Sequence, residues 1–95
     1  MTPEARVKDK IKKVLKEIDA YYVMPVTGGY GNSGAPDFLT CIGGRFVGIE
    51  AKAEGNKPTA LQLFNLSEIR RAGGLGFVID ETNVATLRKT LEQLK

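Results

Sequence analysis

Asp37, Glu50 and Lys52 are the residues of this 95-residue chain best placed to do chemistry. The chain has no histidine and one cysteine, which excludes imidazole-based triads, histidine metal sites and structural zinc. Catalysis must therefore run on carboxylates, lysines, hydroxyls or amides. Any metal must be a hard cation with oxygen ligands: Mg²⁺, Mn²⁺ or Ca²⁺. Glu50 and Lys52 are two residues apart, which on a strand puts both side chains on one face. Taken alone, Glu-x-Lys on a strand is commonplace and marks a solvated face. What raises this pair above that background is the position of Asp37.

Residues 38–42 and 46–52 have the composition of strands, and Gly43-Gly44 between them is a two-residue hairpin signal. With those glycines as the turn, Ile42 faces Arg45, and the same ladder extended outward sets Asp37 opposite Glu50. Directly opposed Cβ atoms lie roughly 4.5–5.5 Å apart. Two like charges held that close are destabilising unless something offsets them. A divalent cation would do so. Oxygen ligands suit Mg²⁺, with Mn²⁺ expected to substitute, and the backbone carbonyl of Ala51 would add a ligand. Lys52 would then orient or deprotonate a water, or neutralise a phosphate. The plain alternative is that Lys52 bridges two acids with no metal at all.

The surrounding pattern supplies the elements that must hold these groups. Thr2 and Pro3 read as the cap and first position of a helix over residues 3–19, with Val7, Ile11, Val14 and Ile18 as its apolar stripe. Glu4 lies on that stripe and could point into the site, although acids also favour the first helical turn for electrostatic reasons. Residues 21–26 are a short β-rich run, and residues 27–36 are a glycine-rich loop. Residues 59–72 read as a second helix opened by the capping box Thr59-x-x-Gln62, which accounts for Gln62 by capping alone but leaves it free to serve a site as well. Residues 75–79 are almost wholly apolar and predict a central strand, and Val84, Leu87, Leu91 and Leu94 mark a final helix. The order is α-β-β-β-α-β-α. A hairpin followed by a helical crossover predicts an α/β domain with a mixed sheet flanked by helices.

Composition narrows the setting. The net charge is +3, from 14 Lys and Arg against 11 Asp and Glu, a mild excess that suits a polyanion without requiring one. The hydrophobic fraction of 42% is that of one globular domain, residues 1–95. No run of about 18 apolar residues exists, so no membrane helix is expected, and the lone cysteine fits a reducing cytoplasm. In residues 27–33 of that loop, backbone amides could meet phosphates and Tyr30 could stack on a base, with Asn32, Ser33 and the later Lys57 as further DNA contacts. Arg6, Lys8, Lys12, Lys13 and Lys16 read mostly as a solvated helix face, and Cys41 as a packing residue on the Asp37 side.

Gly34-Ala35-Pro36-Asp37 followed by Gly48-Ile49-Glu50-Ala51-Lys52 resembles the PD-(D/E)XK nuclease superfamily, and within it the VRR-NUC, or virus-type replication-repair nuclease, family. The Thr-Gly-Gly-Tyr-Gly segment before the motif and Pro-Thr-Ala-Leu-Gln after it strengthen the resemblance, which runs from about Glu4 to Asp80. It implies a restriction-endonuclease-like αβββαβ core and Mg²⁺-dependent hydrolysis of DNA phosphodiesters. Asp37 and Glu50 would be metal ligands and Lys52 the catalytic lysine, with Gln62 and Glu4 completing the site. Short stand-alone members resemble Holliday junction resolvases, which implies a homodimer acting on branched DNA in viral or bacterial replication, recombination or repair. The rival expectation is a non-catalytic DNA-binding module that kept the nuclease fold.

Overall fold

The computed structural model describes residues 1–26 and 34–95. Helix α1 (Pro3–Glu17) starts as its sequence dictates: Thr2 caps it, its hydroxyl accepting the Ala5 N–H at 3.1 Å, and Pro3 follows. It ends two residues earlier than its apolar stripe suggests, because Asp19 turns into the left-handed region at φ 58°. Three strands follow. β1 (Tyr21–Val23) is antiparallel to β2 (Phe38–Ile42), which is antiparallel to β3 (Arg45–Ala51). The β2–β3 turn is the expected one: Gly43 and Gly44 both have positive φ, 56° and 79°, as a mirror-image hairpin turn requires, and Ile42 pairs with Arg45. Helix α2 (Ala60–Arg71) then crosses over to β4 (Leu75–Ile79), which runs parallel to β3, and α3 (Val84–Glu92) completes the domain.

The sheet order is β1-β2-β3-β4. This corrects the expectation that the apolar segment 75–79 is central: β4 ends the sheet, and β3 is an inner strand. Strand β4 is apolar because helices cover both of its faces. Leu75, Phe77 and Ile79 join the main core, while Gly76 lies under Leu66 of α2.

The main core fills one side of the sheet. Val7, Ile11, Leu15 and Ile18 from the α1 segment and Val84, Leu87 and Leu91 from α3 pack on Phe38, Ile42, Val47, Ile49, Ala51 and Ile79. Each such aliphatic side chain, removed from water, contributes about 1.5–3 kcal/mol. Helix α2 covers the other side at short range, and glycines make that approach possible. A Cβ on Gly48 would come within 2.6 Å of Ile69 Cδ1, and one on Gly76 within 3.2 Å of Leu66 Cδ2. Glu50 projects from this same side, two residues along β3 from Gly48. Cys41 shares that side of the sheet but is exposed, which corrects its assignment to packing: α2 lies over β3 and β4 and leaves β2 open there. The α2 residues Leu61, Leu63 and Phe64 are also exposed, as is Phe46 of β3.

Candidate active site

The hairpin ladder ends at the pair Phe38–Ile49. One step further out stand Asp37 and Glu50, where the chain leaves β2 and β3 carries on toward β4. Asp37 does not extend the ladder with its backbone. Its side chain does so instead, with Oδ2 accepting the N–H of Ala51 at 2.8 Å. That hydrogen bond fixes the carboxylate beside the end of β3. The first turns of α1 and α2 both reach this end of the sheet.

From α2 comes Gln62. The capping box is complete: Gln62 N donates to Thr59 Oγ1 at 3.2 Å, and Thr59 N donates to Gln62 Oε1 at 2.8 Å. The amide oxygen is thereby committed to the helix cap, so its NH₂ must point the other way. It donates to Glu50 Oε2 at 3.2 Å. Capping and service to the site are one arrangement of one side chain.

From β3 come Glu50 and Lys52. Lys52 Nζ lies 3.8 Å from Glu50 Oε2, and the Lys52 N–H donates to Ile79 O at 2.9 Å, which anchors this residue to β4. Glu50 is 2% exposed, and its other oxygen, Oε1, is buried with no hydrogen-bond partner among the described residues. Burial is the largest of several influences that push the Glu50 carboxyl up to about 8. The negative charge of Asp37 comes next, followed by the hydrogen bond to Asp37 that a protonated carboxyl would gain. Lys52 opposes these influences and Glu4 adds weakly to them.

From α1 comes a residue that sequence reasoning missed. Lys8 Nζ lies 3.4 Å from Asp37 Oδ1 and 3.6 Å from Glu4 Oε2, bridging the two acids. The sequence reading groups Lys8 with the solvated lysines of the helix. The available signal is its position one turn after Glu4, the spacing of a helical ion pair. Glu4 is thus brought to the rim of the site through Lys8, and its charge is felt at Glu50.

The remaining expected residues divide. Lys57 stands on the loop between β3 and α2, exposed and near enough to Asp80 to help hold that carboxyl below its ordinary range, after larger contributions from Thr82. Tyr30, Asn32 and Ser33 lie outside the described residues.

The donor set suits one kind of ligand. It is all oxygen: two carboxylates, one with a buried partnerless atom, beside a backbone segment that includes the Ala51 carbonyl. Such donors match a hard divalent cation of the Mg²⁺ or Mn²⁺ type. No group of three or more acidic or cysteine side chains poised for a metal occurs among the described residues. Among the described residues no helix is long and apolar enough to cross a membrane.

No family model matches the chain, and no curated protein does. A solved structure described as a VRR_NUC domain does match, at 24% sequence identity with a TM-score of 0.69, over 99% of this chain and 95% of the other. The strand order and the crossover are thus set in a known frame: this chain has the restriction-endonuclease-like fold of a VRR_NUC domain.

Proposed function

We infer that the protein is a Mg²⁺-dependent nuclease that hydrolyses phosphodiester bonds of DNA, with Asp37, Glu50 and Lys52 as its centre. The observation that carries this reading is Glu50: a buried carboxylate with one partnerless oxygen, held by Gln62 and Lys52 against a second carboxylate. A protein rarely retains such a destabilising arrangement without a task for it. Asp37, Glu50 and the Ala51 carbonyl would hold the cation, which when bound supplies a Lewis acid for the phosphate and a more acidic water. The chain's own groups have separable roles. The Ala51 N–H fixes the Asp37 carboxylate. Gln62, locked by its cap, fixes Glu50. Lys52, part-buried beside Glu50, holds positive charge where negative charge accumulates on a phosphate.

The DNA preference and assembly follow from the same reading. We assign branched DNA as the substrate and a homodimer as the working unit. Leu61, Leu63 and Phe64 on α2 and Phe46 on β3 give apolar area that a second copy could bury. The opposing reading, a DNA-binding module without catalysis, draws on the Lys8–Asp37 ion pair, which neutralises one carboxylate without metal.

Incubation of a four-way junction with Mg²⁺, in parallel with EDTA, separates the two readings. Metal-dependent cleavage, lost in folded Asp37→Asn and Lys52→Met variants, supports the nuclease. Junction binding with no product, or cleavage that persists in either variant, rejects it.

A further inference from the structure

The site holds two lysines, one for each carboxylate. Lys52 meets Glu50 from the same strand. Lys8 meets Asp37 from a different element, the second turn of α1, and clasps Glu4 with the same ammonium. Asp37 has one oxygen committed to the Ala51 N–H. Its other oxygen, Oδ1, is the one Lys8 faces. A cation that approaches Asp37 Oδ1 therefore meets the Lys8 ammonium there first.

We propose that Lys8 is a built-in counter-cation of the acidic centre, seated on Asp37 and Glu4 and displaced from Asp37 when a divalent cation enters. This rests on the metal-binding reading of the site and adds a competitor to it. The lysine stem suits the task, since it is long, partly exposed and free to re-aim its charge without moving the helix. In the metal-free protein Lys8 relieves the repulsion between Glu4 and Asp37. In the loaded protein its charge opposes the incoming one. A single positive charge about 6 Å from a divalent ion, in a largely aqueous dielectric, changes affinity by about tenfold. Lys8 thus lowers affinity for the cation while stabilising the protein that awaits it.

The test is calorimetric titration of Mn²⁺ into the parent protein, Lys8→Met and Lys8→Arg at low salt, without DNA, paired with thermal unfolding in EDTA. Methionine keeps the length and helix preference of the side chain and removes its charge. The expected result is about tenfold tighter Mn²⁺ binding by Lys8→Met, together with a lower Tm in EDTA. Lys8→Arg is expected to stay within about twofold of the parent for Mn²⁺, since it restores the charge. A merely structural lysine would lower both stability and affinity. Mn²⁺ binding by folded Lys8→Met that is unchanged or weaker overturns the proposal and leaves the nuclease reading standing. Absence of Mn²⁺ binding in both the parent and Lys8→Met overturns both.

Discussion

Raising the pH of the metal-free protein from about 5 to about 9 is expected to weaken its fold through a single carboxyl. Glu50 is lifted from 4.5 in the open chain to about 8 in the folded one, first by burial and then by the charge of Asp37. The sign follows directly. The folded state keeps the Glu50 proton after the unfolded chain has released it, so the contribution to stability is complete below the unfolded value and is lost as pH rises through the folded one. At about 1.4 kcal/mol for each unit of separation, the ceiling is about 5 kcal/mol. Water entering the ionised site and readjustment of the Lys52 ammonium reduce this to about 2–4 kcal/mol. In a domain of this size that is a fall in Tm of about 10 °C or more. The absence of histidine leaves the neutral range unusually clear for such a measurement.

The assay is urea unfolding in EDTA at several pH values, for the parent and for Glu50→Gln. The glutamine keeps the shape and carries no titrating proton. Its amide oxygen can accept from Gln62 while its NH₂ faces Asp37, so this variant is expected to lose most of the pH slope and to exceed the parent in stability at the alkaline end. Mg²⁺ added at that end is expected to stabilise the parent and not the variant. Equal slopes for the two proteins would refute the account of Glu50.

Other perturbations test the positioning of the site. Gln62→Ala removes a helix cap and the amide that donates to Glu50. It is expected to cost about 1 kcal/mol in urea unfolding and, on the nuclease reading, to reduce junction cleavage by more than that stability loss explains. Gly48→Ala places a methyl 2.6 Å from Ile69 Cδ1 and 3.1 Å from Pro36 Cγ. It is expected to lower stability by about 1 kcal/mol, measured by thermal unfolding, because the Ile69 side chain must re-aim and the Pro36 ring must give by a few tenths of an ångström.

The local features of the chain were legible wherever a short-range rule fixes geometry. Thr2 before Pro3, and Thr59 with Gln62, mark two helix starts because a side chain three residues away can reach an orphan N–H. Gly43-Gly44 fixed the hairpin register because only residues tolerant of positive φ close that turn. From that register came the meeting of Asp37 with Glu50, and from strand alternation the placing of Lys52. Other expectations failed where several elements had to be weighed at once. Strand β4 looked central because an apolar run reports burial of its faces, and it says nothing of neighbours to the side. Cys41 shares the site's side of the sheet, yet its exposure depends on how far α2 extends across the strands.

What sequence alone determined here is the set of residues and their local phase: which side chains share a face, where helices begin, which two acids oppose. Tertiary structure alone decided three things. It brought Lys8 of α1 onto Asp37, across 28 intervening residues that set no distance in space. It aimed the Gln62 amide at Glu50. It buried Glu50 beneath α2, on a platform of glycines at 48 and 76, so that its proton is held to about 8. The physical reason is common to all three. Periodicity and capping act over a few residues, whereas desolvation and charge pairing depend on which distant surfaces finally close over the same few atoms.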